Sequence, residues 1–243
     1  MIEFASMTEQ GGRDVNEDAV SVEIVDDQTQ CFSVADGLGG HGRGDEAAHL
    51  AVQTAADVFR AFPEQEELTK TIFESAQKRV LFEKKERGER HSMKTTLSVL
   101  IFRQGKAAFG TIGDTRVYCF RAGSILLRSH DHSMSQLLCD VGQISPEEVR
   151  SHPDRNRLLR CIGEEWDGKS YELSPDALDY DRESAFLICT DGFWTLISDE
   201  EIEECLQDSA TAQEWLDRMT AVVRERATVP DADNYTAVTV RIQ

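Results

Sequence analysis

The amino-acid sequence predicts an α+β fold of four layers, in which two antiparallel sheets pack face to face and helices cover both outer faces. Strand-like segments follow one another directly, whereas helical segments come in pairs, and this order is typical of antiparallel sheets rather than of βαβ units. No linker, repeat or low-complexity tract interrupts the 243 residues, which include only five prolines. A single domain over residues 1–243 is therefore predicted.

Strands are predicted where β-branched and apolar residues cluster between turn residues. They are Ala19–Val25, Gln30–Ala35, Thr95–Phe102, Ala107–Ile112, Arg116–Phe120, Ser124–Leu127, Ala185–Cys189 and Tyr235–Ile242. Gln104-Gly105 and Ala122-Gly123 separate successive members of this set. Such short turns favour antiparallel hairpins.

Helices are predicted over Asp45–Phe62 and Glu66–Glu86, because apolar residues recur there at spacings of three and four. Nearer the C-terminus, Ser198-x-x-Glu201 and Thr211-x-x-Glu214 have the pattern of capping boxes. Two further helices are expected to begin at these points.

Composition limits the classes of partner. The net charge of −19 and a pI near 4.7 disfavour binding to nucleic acid or to an anionic membrane. No stretch approaches the ~20 apolar residues of a membrane span, and the first residues do not have the pattern of a signal peptide. The six cysteines include no Cys-x-x-Cys pair, which argues against zinc and for reduced core thiols. A cytoplasmic protein is expected.

Two apolar runs end in Asp-Gly, at Asp36-Gly37 and Asp191-Gly192. A carboxylate at the end of a buried strand costs free energy unless a positive group pairs with it. Asp114 follows another strand and Asp233 precedes the last one, so four acids from distant points are expected to converge on Mg²⁺ or Mn²⁺. The alternative is that Asp-Gly only forms hairpin turns. Gly37, however, begins a glycine-rich loop that leads into a helix rather than into a returning strand. This pattern is not that of a two-residue hairpin.

One basic residue precedes further acids near the N-terminus. Arg13 lies shortly before Glu17 and Asp18, just ahead of a strand. A planar guanidinium matches the oxygens of a phosphate, and the two acids would hold water on a nearby metal ion. The alternative is an ordinary polar surface loop. Together with the strand-end acids, the composition is that of a metal site that cleaves phosphate.

The chain resembles the metal-dependent type 2C Ser/Thr protein phosphatases. Eight stretches match in the order of the family, from near Gly12 almost to the C-terminus. They are Arg13–Asp18, Val34–His41, Lys94–Thr96, Gly113–Arg116, Asp131–Ser133, Asn156–Arg160, Thr190–Trp194 and Asp233–Thr236. The resemblance implies an α-β-β-α sandwich with a metal site in a cleft at one end of the sheets.

The resemblance also implies the ligands of two Mn²⁺ or Mg²⁺ ions and of a weaker third. Asp36 would bridge the first two, the carbonyl of Gly37 would complete one and Asp191 and Asp233 the other. Asp114 would hold the third together with Asp191.

The remaining family positions are supporting ones. Asp18 and Glu17 would act mainly through water on the metal ions, Asn234 and His41 would support the site, and Arg13 would hold the substrate phosphate. A water ionised between two cations would then attack phosphorus without a cysteine nucleophile.

The general acid stays unassigned by sequence. Animal members of the family carry a histidine directly after the first Asp-Gly, where this chain has Leu38. His41, three residues later, is one candidate, and a donating water is another. For His132 a structural role is favoured over catalysis.

Residues 133–156 resemble the mobile flap of the family, although an ordinary helical connection is the alternative. The predicted partners are phosphoprotein substrates and a Ser/Thr kinase whose action the chain reverses, by analogy with bacterial members that in some systems control type VI secretion. A monomer is expected. Two other hypotheses for the function stay open. One is a non-catalytic binding module of the same fold, and the other is a hydrolase of small phosphate esters.

Overall fold

The computed structural model describes residues 1–39, 42–88, 92–168, 170–174 and 177–243. Its strands are β1 (Ile2–Glu9), β2 (Asp18–Ile24), β3 (Gln30–Asp36), β4 (Leu97–Arg103), β5 (Lys106–Ile112), β6 (Arg116–Arg121), β7 (Ser124–Arg128), β8 (Glu172–Leu173), β9 (Leu178–Asp179), β10 (Ser184–Cys189) and β11 (Tyr235–Ile242). They form two antiparallel sheets, β1-β11-β10-β6-β7 and β2-β3-β4-β5-β8, with β9 also pairing β5.

Helices lie on the outer face of each sheet. The described helices are α1 (Gly44–Ala61), α2 (Leu68–Glu86), α3 (Met134–Asp140), α4 (Pro146–Val149), α5 (Asp191–Trp194), α6 (Asp199–Gln207) and α7 (Ala212–Arg226). Apolar residues of α1 and α2 pack on the sheet that contains β3, and those of α6 and α7 pack on the sheet that contains β10. None of the described helices combines the length and the apolar character that a membrane span requires.

Alternation along the strands assigns side chains to layers. In β10, Phe186 and Ile188 face the other sheet, whereas Leu187 between them packs towards α6 and α7. Phe102 of β4 contacts Phe32 and Phe186 edge to face, with ring centroids 5.9 and 5.0 Å apart, and so joins the two sheets. The order helix, sheet, sheet, helix confirms the predicted fold class.

Both predicted hairpins are present. Gln104 and Gly105 have φ values of 52° and 74°, and Ala122 and Gly123 have 51° and 82°. Two successive residues with positive φ form the turn whose twist suits a two-residue hairpin. These turns set the register of β4 with β5 and of β6 with β7.

The structure differs from the prediction made from the sequence at several places. The sequence pattern does not predict the edge strand β1, because Phe4 and Ala5 interrupt the alternation of polar and apolar residues. The sequence predicts that β4 begins at Thr95, but the backbone of Thr95 lies in isolated bridges with Gly37 and Ile162. The capping box of α6 is complete, whereas at α7 the Glu214 carboxylate accepts from the Ala210 N–H rather than from Thr211.

Candidate metal centre

Strand pairing brings acidic strand ends together at one edge of the sandwich. Asp36 is the last residue of β3. In the other sheet the Thr190 N–H donates to the Thr236 carbonyl over 3.0 Å, which aligns the end of β10 with the start of β11. Asp191 and Asp233 flank this point and lie close enough to repel each other. Residues far apart in sequence therefore meet because of sheet topology.

A cavity of about 790 Å³ opens at this edge. Of the predicted site residues, it is lined by Arg13, Glu17, Asp36, Gly37, Asp114, Asp191 and Asp233. Asn156, at the end of the predicted flap, also lines the cavity, as do Leu158 and Cys161 just after it. His41, the remaining residue of the glycine-rich loop with a predicted role, lies outside the described residues.

Two threonines hold the Asp36-Gly37 corner. The Asp36 N–H donates to the Thr96 hydroxyl over 2.8 Å, and the Asp36 carbonyl accepts from the Thr96 N–H and the Thr95 hydroxyl. A Cβ atom on Gly37 would lie 2.3 Å from the carbonyl carbon of Gly44. Glycine therefore allows the first residue of α1 to approach the strand end. Sequence reasoning assigned these threonines no role.

Asp18 pairs with Asp36 across β2 and β3 and is buried. One carboxylate oxygen, Oδ2, accepts from the Thr190 hydroxyl over 3.0 Å. The other, Oδ1, is buried and has no hydrogen-bond partner within the described part of the chain. Burial raises the pKa of Asp18 to about 7. A buried acceptor without a donor is a position where a water molecule or a cation would fit.

Burial also dominates the electrostatics of the other carboxyl groups. It raises the pKa of Asp36 well above its ordinary value, and the nearby charges of Asp18, Asp191, Asp114 and Asp233 act in the same direction. Burial and then Asp233 raise the pKa of Asp191 to about 6. Clusters of acids with raised pKa values are typical of functional sites, because a structural core has little reason to hold them together.

The carboxylates share a cavity without forming a closed cluster. Over the described ranges, no group of three or more His, Cys, Asp or Glu side chains is arranged so that it could hold a metal ion. Mg²⁺ and similar ions take one or two carboxylates and complete their shell with water or carbonyl oxygens. Asp36 with the Gly37 carbonyl is such a donor set, so the donors fit a hard cation that keeps part of its hydration shell.

Asn234 fixes the N-terminal loop against the site. Its Oδ1 accepts from the Glu17 N–H over 2.8 Å, and its Nδ2 donates to the Val15 carbonyl over 3.0 Å. Arg13 on the same loop pairs with Asp233, with 3.2 Å between Nη2 and Oδ2. The loop thus places the Arg13 guanidinium at the cavity. About half of the Arg13 side chain is exposed to solvent.

Asp114 is supported by a buried chain of contacts that sequence reasoning missed. The Trp194 indole donates to the Asp114 carbonyl over 2.9 Å, and the Arg116 guanidinium lies 3.4 Å from the centre of that indole ring. Arg116 in turn pairs with Asp131 over 2.7 Å, and both side chains are only 2% exposed. The available signal was an arginine at the start of an otherwise apolar strand, since a buried charge requires a partner.

His132 supports the backbone next to Asp114. Its Nδ1 accepts from the Gly113 N–H over 3.1 Å, and burial lowers its pKa to about 4. A neutral imidazole in this position holds the turn, in agreement with the structural role expected from the sequence.

Comparison with known proteins gives a consistent result. Residues 9–233 match the family described as Protein phosphatase 2C. The serine/threonine phosphatase stp of Listeria monocytogenes is 33% identical over 209 residues, which cover 83% of this chain and 81% of that protein. Serine/threonine phosphatase Stp1 from Staphylococcus aureus has the same fold, with a TM-score of 0.88 and 25% identity over 100% of this chain and 96% of that one.

A second similar structure is PppA, described as a key regulatory component of T6SS in Pseudomonas aeruginosa. It has a TM-score of 0.77 and 28% identity, over 99% of this chain and 97% of that one. The family match spans most of the chain and agrees with the observed four-layer fold. This chain therefore belongs to the protein phosphatase 2C family of serine/threonine protein phosphatases.

Proposed function

We propose that the chain removes phosphate from phosphoserine and phosphothreonine residues of proteins, with Mn²⁺ or Mg²⁺ as cofactor. The observation that carries the proposal is the single cavity that brings Asp36, Asp114, Asp191 and Asp233 together with Arg13. Acids for hard cations beside a guanidinium for phosphate are the two parts that such a reaction needs.

The donor set suits hard divalent cations. Asp36, the Gly37 carbonyl, Asp191 and Asp233 would hold two ions, and Asp114 with Asp191 a weaker third. The unpartnered Oδ1 of Asp18 supports the presence of water or a cation beside these groups. When bound, such ions supply the Lewis acidity that ionises water near neutral pH.

Arg13 would orient the substrate. Its guanidinium reaches the cavity beside Asp233, and a phosphate dianion offers two oxygens for its parallel N–H groups. Asn234 holds the loop that carries Arg13 and Glu17, so phosphate binding would not require the loop to order. The apolar Leu38 replaces the histidine of animal members in the cavity wall, and we propose that water protonates the leaving serine or threonine oxygen.

Access and pathway are part of the proposal. Residues 133–156 contain α3 and α4, and Asn156 at their end lines the cavity, which is the place where a flap would control entry. The partner would be a Ser/Thr kinase, and the chain would dephosphorylate the proteins that this kinase phosphorylates. The chain would act as a monomer. By analogy with PppA alone, the pathway would be the control of secretion.

The test is hydrolysis of a phosphothreonine peptide with Mn²⁺, with Mg²⁺ and after chelation. We expect phosphate release that depends on added cation and that is faster, in kcat/KM, for the peptide than for p-nitrophenyl phosphate. Activity that resists chelation would contradict the metal assignment. A preference for the small ester would favour a hydrolase of small phosphate esters instead.

A further inference from the structure

We propose that a lysine-rich groove beside the catalytic cavity binds acidic residues of the substrate protein that flank its phosphorylated residue. The inference rests on the proposed function and adds a substrate preference to it. The groove has a volume of about 950 Å³. The charged residues that line it are Lys78, Lys84, Lys85, Lys94, Glu164 and Glu165, and we call it the lysine groove.

The lysine groove and the catalytic cavity adjoin. Lys94 and Glu164 line both, and they form an ion pair at the boundary. The neighbouring Gly163 is held from α2, since its carbonyl accepts from the Lys84 ammonium over 2.6 Å and its N–H donates to Gln77 over 2.8 Å. These hydrogen bonds fix the wall between the lysine groove and the catalytic cavity. A peptide that leaves the cavity on this side would enter the groove.

One face of α2 forms the outer side of the groove. Lys78, Leu81, Phe82 and Lys85 stand at positions i, i+3, i+4 and i+7, which share a helix face. Phe82 is 57% exposed. Lys78 and Lys85 are exposed, and neither forms an ion pair with any described residue. Two unpaired ammonium groups beside exposed apolar surface are suited to an extended acidic peptide.

Charge explains why the enzyme would need such a groove. The chain carries a net charge of −19, and its catalytic cavity is itself lined by acids. A phosphoprotein is anionic, so the overall field repels it. Among the described residues that line it, the groove has four lysines and two glutamates, so these lining residues carry a net positive charge next to the cavity. Lysine is a compact charge that accepts carboxylates in many orientations, so the preference would be for acidic residues rather than for one sequence.

The experiment compares phosphothreonine peptides whose flanking residues are either Asp and Glu or Ser and Gln, placed before, after or on both sides of the phosphoresidue. The variant is Lys78→Glu/Lys85→Glu. The control is Lys70→Glu/Lys106→Glu, which changes the net charge equally at exposed lysines that do not line the groove. Hydrolysis of p-nitrophenyl phosphate measures the catalytic site alone.

We expect the wild-type protein to prefer the acidic peptides, and the groove variant to lose about tenfold in kcat/KM on them through KM, as two exposed charge contacts would give. The uncharged peptides and p-nitrophenyl phosphate should change little. An equal loss in the control, or no preference in the wild type while the peptides are hydrolysed, would overturn the groove proposal. Failure of the wild type on every peptide would instead refute the proposed function.

Discussion

Each carboxylate of the site takes its properties from the groups that surround it. The backbone of Asp36 is held by hydrogen bonds to Thr95 and Thr96, so the position of this backbone does not depend on the charge of the Asp36 side chain. Asp18 has one oxygen satisfied by Thr190 and the other by no described residue. At this scale, stability and activity are therefore expected to respond in different ways to a single substitution.

Asp36→Asn keeps the side-chain volume and replaces one carboxyl group of a crowded acidic cluster with an amide that does not ionise. We expect kcat/KM on a phosphopeptide to fall by more than about 100-fold, since loss of a mere supporting partner of a metal already costs up to that factor. The melting temperature without added metal should stay equal or rise, because repulsion is relieved. Asp27→Asn, an exposed loop position, is the control. A variant with wild-type activity would remove Asp36 from the site.

Thr190→Val deletes a buried hydroxyl that donates to Asp18 and accepts from the Thr236 N–H. Two buried polar groups then lose their partner, so we expect the free energy of unfolding to fall by about 1–3 kcal/mol in urea titrations. Thr190→Ser retains the hydroxyl and should restore most of the loss. If the valine and serine variants have the same free energy of unfolding, these hydrogen bonds do not stabilise the fold.

Among the elements, α4 and α5 are joined by one side chain. The Arg150 guanidinium, just after α4, donates to the carbonyls of Trp194 and Ile197 and lies 3.2 Å from Asp199. Trp194 is the last residue of the helix that begins at Asp191, and Ile197 lies just after this helix, so the proposed flap is anchored on the element that carries a proposed ligand.

Arg150→Ala should release this anchor. We expect a loss of about 1–3 kcal/mol in the free energy of unfolding, because buried carbonyls lose their donor. Amide hydrogen exchange should rise over residues 145–152 and stay unchanged in α7. Arg79→Ala, which removes an exposed ion pair on α2, is the control and should cost far less. Unchanged exchange near α4 would show that other contacts hold the segment.

Local patterns predicted most elements because their causes are local. β11 was predicted with the bounds that it has, since its apolar and β-branched residues alternate between clear ends. β1 was missed because its stability comes from pairing with β11, which no local pattern reports. The contact of Arg116 with Trp194 also escaped prediction, because it joins separate elements.

For the molecule as a whole, the carboxyl cluster predicts how stability depends on pH. The pKa of Asp18 is about 7 in the folded chain against an ordinary 3.8, and the pKa values of Asp36 and Asp114 are also raised well above 3.8. Between the ordinary and the raised pKa, the folded chain holds protons that the unfolded chain has lost. Stability without metal should therefore fall as pH rises through this window.

The window from pH 7 to 8 limits the opposite contribution of His132, whose pKa is lowered to about 4 from 6.5 and which therefore acts mainly below pH 7. Urea unfolding in chelator should show stability decreasing across the window, by up to about 1.4 kcal/mol per pH unit for each proton involved. Mn²⁺ should raise stability most at the high end, since it binds the ionised carboxylates of the folded chain. A rise in stability with pH in chelator would contradict the cluster.

Sequence alone determined the class of fold and most strands and helices, and it predicted which acids would form the site, because alternation, helical spacing and strand-end carboxylates depend on neighbours along the chain. Only the tertiary structure decided that Asp36, Asp114, Asp191 and Asp233 share one cavity with Arg13, and that the lysine groove adjoins it. The physical reason is that strand register and layer packing place residues side by side regardless of their separation in sequence, and proximity sets both the pKa values and the potential that a substrate meets.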